Sequence, residues 1–147
     1  APANGERIIS DVTSKNMRRL LRLVVQNGTG RNGNAEGYLV GGKTGTAEKS
    51  GHKGYNRKSL LSSFVAAYPL NDPQFVVLVM VDEPKGNKKS FGYATGGWVA
   101  APAVKRIISR MAPLYGILPI DEKSPEIRRD LEIKLPTQKG KNHHASF

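Results

Sequence analysis

The stretch Gly37 to Lys49, GYLVGGKTGTAEK, sets one lysine between glycines and two threonines, and that combination supports two unrelated chemistries. From Gly37 it reads G-x-x-x-x-G-K-T, the spacing of a P-loop, in which backbone amides and the lysine cradle nucleotide phosphates. From Lys43 it reads Lys-Thr-Gly-Thr, a set of groups suited to acyl transfer when a strand carries them. The Lys43 cation can supply charge to a substrate carboxylate and to neighbouring hydroxyls. Thr44 and Thr46 add hydroxyl donors, and Gly45 removes the side chain that would block a substrate lying along the strand. The backbone N–H of Thr46 is a candidate half of an oxyanion hole.

The elements around the stretch decide between these readings. SDVTSKNMRRLLRLVVQNGTG predicts a helix, with Thr13 or Ser14 as cap and Met17, Leu20, Leu21, Val24 and Val25 at helical spacing. Asn27-Gly28 stops it, and GTGRNGNAEG is a loop. YLVGGKTGTA reads as a strand, and SGHKGYNRK as a loop or hairpin connection. SLLSSFVAAYPL and QFVVLVMVDEP are two apolar runs joined by turn residues at Asn71 to Pro73. KGNKKSFGYATGG is a further loop. Helical spacing then runs from Trp98 to about Leu118, with Pro102 tolerable in the first turn. The order is helix, strand, two-stranded hairpin, helix: an α+β class with an antiparallel sheet flanked by helices.

A P-loop must lead into a helix whose N-terminal amides and dipole face the phosphate. Here Lys43-Thr44 is followed by Gly45, Gly51 and Gly54 in a short polar stretch that cannot form a stable helix. The supposed wrap is YLVG, a β-forming run. Asp82-Glu83, at the end of an apolar strand, resembles a magnesium-holding acidic pair, but Pro84 follows at once and a strand end entering a turn explains it. Gly28, Gly30 and Gly33 have G-x-G-x-x-G spacing, yet with a helix before and a strand after, the reverse of a dinucleotide site.

The strand context that acyl transfer needs is the one these residues propose. Lys-Thr-Gly-Thr arises by chance in a chain this size roughly once in a thousand, from average residue frequencies. Taken with RLLRLVVQNGTG, the apolar hairpin and YATGGWVAAPAVKRI, all in sequence, it resembles the C-terminal part of the transpeptidase domain of class B penicillin-binding proteins, the cell-division D,D-transpeptidase type. The likeness covers about Arg7 to Leu118. It implies a partial fold of the penicillin-binding-protein and serine β-lactamase kind. It also implies a periplasmic domain anchored to the inner membrane, which cross-links peptidoglycan stem peptides and is acylated by β-lactams. Division- or elongation-complex membrane proteins are the implied partners. Lys43 and Thr46 are then the expected catalytic residues. Lys43, Thr44, Gly45 and Thr46 are expected to bind substrate. Phe91 and Tyr93 lie in the loop that borders the family's cleft and are candidates for shaping it, with packing against the sheet as their alternative. Trp98, at the helix start, is read as core. Neither a cofactor nor a metal is called for.

The family carries S-x-x-K with the nucleophilic serine, then S-x-N, then the lysine motif. Ser50 to Lys53 matches the first pattern, but it follows the lysine motif in a glycine-flanked loop. Ser14 to Asn16 matches the second, but it opens a helix close before Lys43. Both are read as coincidences. The chain is therefore expected to be a C-terminal fragment, inactive alone: residues 1–119 a portion of the transpeptidase domain, residues 120–147 a polar tail largely disordered at its end. The start, APANGERIIS, lacks a signal-peptide pattern and an initiator Met, as expected of a processed or excised piece.

The remaining features bound the alternatives. The 147 residues are enough for one domain with a core, and no apolar run approaches a membrane span. Absence of cysteine removes disulfides, thiolate metal sites and thiol nucleophiles. The formal charge of +11 is dispersed over Arg18, Arg19 and Arg22, Lys88-Lys89, and Lys105-Arg106, so solvated faces rather than nucleic-acid binding are expected. His52, His143 and His144 show no metal-ligand spacing. A non-enzymatic interaction module, binding through its sheet or tail, is the remaining alternative.

Overall fold

In the computed structural model, which describes residues 5–51 and 54–133, the helix that precedes the lysine motif is α1, Asp11–Asn27. Its cap is Ser10, in extended backbone, whose hydroxyl accepts the Thr13 N–H at 3.1 Å. Thr13 and Ser14, expected as caps, already lie in the first helical turn, because Asp11 and Val12 are helical and place an acidic residue at the helix start.

Three antiparallel strands follow: β1 (Gly41–Gly51), β2 (Gly54–Tyr68) and β3 (Phe75–Asp82), in the order β1-β2-β3. β1 begins at Gly41 rather than Tyr38, because Gly37 and Leu39 take left-handed backbone (φ 84° and 44°) and turn the chain just before it. The expected connection SGHKGYNRK is largely strand, with β1 running to Gly51 and β2 resuming at Gly54. The register pairs Lys43 with Val65 and Gly45 with Ser63. Val65 in turn faces Leu78, and Ser63 faces Met80.

Alternation along β2 and β3 separates two faces. One carries buried Phe64, Ala66 and Tyr68, packed under α2 (Ala100–Leu114) through Ala100, Ala101, Val104, Ile108 and Ala112. Val25 of α1 joins this cluster. α2 starts two residues after Trp98 and ends before Gly116, whose positive φ breaks it. At the far end of the sheet a second cluster gathers Leu39, Leu70 and Leu131, with Ala67, Ile120 and Ile127 against it.

Leu131 belongs to a helix the sequence reading did not anticipate, α3 (Pro125–Leu131), which follows Pro119 in the stretch read as a polar tail. Ser124 caps it and Pro125 opens it, a combination suited to a helix start. Arg19 of α1 donates to the carbonyls of Asp130 (2.7 Å) and Arg129 (3.0 Å) at its C-terminal end. The residues expected to be disordered at the chain's end lie outside the described ones. No helix among the described residues is long and apolar enough to cross a membrane.

Candidate active site

The period of two along β1 divides the lysine motif between the faces of the sheet. Lys43 and Gly45 share the face of Val65 and Ser63; Thr44 and Thr46 share that of Phe64 and Ser62. Lys43 is exposed, and its ammonium donates to the Thr44 carbonyl oxygen at 2.9 Å. The cation therefore sits over its own strand rather than in an ion pair. A Cβ at Gly45 would stand 2.5 Å from Ser63 Oγ, so glycine keeps the surface beside Lys43 open at this point.

On the other face both threonines are tied to the loops that flank β1. Thr44 Oγ1 and Thr29 Oγ1 are 2.9 Å apart and share a hydrogen bond. Thr46 Oγ1 accepts the Gly96 N–H at 3.1 Å while remaining exposed. Gly96 reaches that position because it has no side chain: a Cβ there would lie 2.1 Å from the Ser63 carbonyl oxygen and 2.6 Å from that of Gly45. Two further anchors fix the same loop, Ser62 Oγ donating to Ala94 O at 2.5 Å and Asn32 Nδ2 donating to Gly97 O at 2.9 Å. Asn32, Ser62 and Gly96 were not singled out in the sequence, since each acts through a partner dozens of residues away. The paired glycines before α2, Gly96 and Gly97, are the local feature that permits this close backbone approach.

That loop also carries the aromatic candidates. Phe91 is 76% exposed and Tyr93 51% exposed, so neither packs into the sheet core. Both lean on Trp98, Tyr93 stacked at 5.9 Å and Phe91 edge-on at 5.5 Å between centroids. Trp98 is correspondingly half-buried rather than core, with the rings of these two exposed residues against it. The loop is stiffened upstream by Asn87, whose side-chain oxygen accepts the N–H groups of Lys89 and Ser90, while Ser90 Oγ accepts the Asn87 N–H.

The phosphate-binding geometry is not formed. Lys43 and Thr44 lie inside β1, and no helix N-terminus follows them. Asp82 and Glu83 instead hold Lys49, which donates to both at 3.0 Å. The bond to Asp82, then that to Glu83, keeps the Lys49 ammonium protonated above the usual lysine range. Glu83 turns the chain out of β3 with φ 46°. Gly28, Gly30 and Gly33 connect α1 to the segment before β1, and Gly30 and Gly33 make room for the Phe64 ring. Ser14 and Asn16 lie within α1, and Ser50 lies in β1. Lys53, His52, His143 and His144 are outside the described residues.

Comparison with known proteins places this arrangement. Residues 1–109 match the family described as the penicillin binding protein transpeptidase domain. The chain is 44% identical over 122 residues to the probable peptidoglycan D,D-transpeptidase FtsI of Caulobacter vibrioides, covering 77% of this chain and 21% of that protein. It is likewise 44% identical over 119 residues to the stage V sporulation protein D of Bacillus subtilis, covering 81% of this chain and 18% of that one. The chain thus spans about a fifth of the length of these relatives. The solved transpeptidase domain of Burkholderia pseudomallei penicillin-binding protein 3 superposes with a TM-score of 0.69 at 36% identity, covering 80% of this chain and 34% of that domain's chain.

Proposed function

Because this chain belongs to the penicillin-binding protein transpeptidase family, we propose that it supplies the lysine-motif side of the acyl-transfer site of a peptidoglycan D,D-transpeptidase. The observation that carries this reading is the state of β1: an exposed lysine free of any carboxylate partner among the described residues, an open glycine beside it, and threonines tethered from behind. In this role Lys43 attracts the terminal carboxylate of a stem peptide, or that of a β-lactam that mimics it. It also favours the ionised form of a nearby nucleophile. Thr44 and Thr46 donate hydroxyl hydrogen bonds, Gly45 lets the substrate lie along the strand, and the Thr46 N–H receives the developing oxyanion. Phe91 and Tyr93 offer an apolar wall on the loop tied to Thr46.

In this reading the nucleophilic serine, its lysine and the S-x-N motif belong to a part of the longer protein outside these residues. The chain alone then does not turn over. The face that carries Lys43 supports this: Val65, Val76, Leu78 and Met80 stand 39%, 73%, 57% and 54% exposed on it, an apolar surface fit to receive the rest of the domain. The intact protein would be a periplasmic, membrane-anchored enzyme working with division- or elongation-complex membrane proteins. In the longer protein, Lys43→Ala should cut β-lactam acylation severely while leaving the melting temperature nearly unchanged, because Lys43 is exposed on its strand. Near-normal acylation would remove Lys43 from the site.

A further inference from the structure

Arg22 of α1 is 2% exposed, the largest fully buried side chain of the chain's described part. Its guanidinium is used on both arms. Nη1 donates to Val40 O at 2.7 Å and to Asn34 Oδ1 at 3.0 Å, and Nη2 donates to Glu122 Oε2 at 2.5 Å. The other oxygen of Glu122 accepts the Gly37 N–H at 2.9 Å. Gly37 O in turn accepts the Ile120 N–H at 2.9 Å, and Leu39 O accepts that of Leu70 at 3.0 Å. Four backbone groups between Gly37 and Val40, the Gly37 N–H and the carbonyls of Gly37, Leu39 and Val40, are thereby held from outside their own segment. Gly37 and Leu39 among them have the left-handed backbone that aims the chain into β1.

Glu122 lies beyond residue 109, where the family match ends. We propose that Arg22 and Glu122 are positioning residues for Lys43: an ion pair of a buried guanidinium and a partly buried carboxylate, through which the segment after α2 fixes the entry of the catalytic strand. The inference rests on the transpeptidase reading above for what Lys43 does, but its geometry stands independently. Val40 is three residues before Lys43, roughly 10 Å along an extended chain. A paired guanidinium and carboxylate with all four contacting atoms engaged sets both direction and register, which apolar packing does not. Gly41 and Gly42, paired with Ala67 and Ala66 in the β1–β2 ladder, join Val40 directly to Lys43, so a shift at Val40 acts on the strand's register.

The test uses the longer protein with Glu122→Ala, Glu122→Gln and Arg22→Lys, each alone and combined with Lys43→Ala. Two quantities are read: the rate of β-lactam acylation, and hydrogen exchange of the amides from Gly42 to Thr46. Glu122→Ala should slow acylation at least about tenfold and speed exchange of those amides, with Glu122→Gln and Arg22→Lys intermediate. In the Lys43→Ala background the acylation effect should vanish, since the pair acts through Lys43; a merely structural role would add to it. Unchanged exchange in Glu122→Ala, or a slowing that persists undiminished without Lys43, overturns the proposal. If the unmutated protein takes no β-lactam, the transpeptidase reading falls instead, and faster exchange of the β1 amides in Glu122→Gln still decides for or against the clamp.

Discussion

Gly96→Ala tests the tether between the aromatic loop and the motif strand with one methyl group. The added Cβ would stand 2.1 Å from the Ser63 carbonyl oxygen, whereas real Cβ contacts essentially never fall under 3.0 Å, so the loop must retreat by about 0.9 Å. Ser63 and Gly45 offer only backbone oxygens in the middle of the β1–β2 ladder, which cannot give way cheaply. A retreat of that size stretches the Gly96 N–H bond to Thr46 from 3.1 Å to about 4 Å, beyond hydrogen bonding. Overpacking costs about 1–3 kcal/mol, and the lost bond roughly 0.5–1.5 kcal/mol more. For a domain of this size, the melting temperature should fall by roughly 5–15 °C. Thermal unfolding followed by circular dichroism measures it, with Gly5→Ala as the control, since a Cβ there meets nothing within 4 Å. A fall of less than about 2 °C would show that the loop is not seated on the strand by this close approach.

Two further outcomes follow from the same geometry. Lys15, bonded to the Asp130 carboxylate, holds its pKa below the usual range, so the stabilisation is present above the unfolded value and is lost as pH falls through the folded one. Acid titration below about pH 4, followed by NMR of the Leu131 methyls, should therefore show α3 loosening. Lys15→Ala should move the Asp130 midpoint upward, and an unmoved midpoint contradicts the pairing. ATP with magnesium should leave the melting temperature nearly unchanged in moderate salt, because no helix N-terminus receives phosphate after Lys43. A magnesium-dependent rise that survives salt and disappears in Lys43→Ala would favour nucleotide binding.

The sheet was readable because the apolar run at residues 60–68 of β2 and the valine-rich β3 stand on either side of turn residues. The same alternation places Lys43 and Gly45 on one face and Thr44 and Thr46 on the other. What the sequence concealed depends on distant partners. α3 is seven residues long and charged, and its place is set by Arg19, Leu39 and Leu70. Its local signs, Ser124-Pro125 at the start and Ile127 and Leu131 four apart, are too short to outweigh the polarity around them. The place of Trp98 at the helix start suggests core, but its ring neighbours are Phe91 and Tyr93, on a loop with a left-handed turn at Phe91. The anchors of Thr46 and of its loop were hidden for the same reason: Gly96 is 50 residues from Thr46 in the chain.

The most direct test of the central claim, that β1 presents one side of an acyl-transfer site completed by the longer protein, is labelling with a fluorescent penicillin, followed by denaturing electrophoresis and mapping of the modified residue. The account predicts a covalent label on the longer protein, at a serine outside these 147 residues, sharply reduced in Lys43→Ala, and no label on this chain alone. A labelled serine within the chain, or labelling of the longer protein indifferent to Lys43, would contradict it.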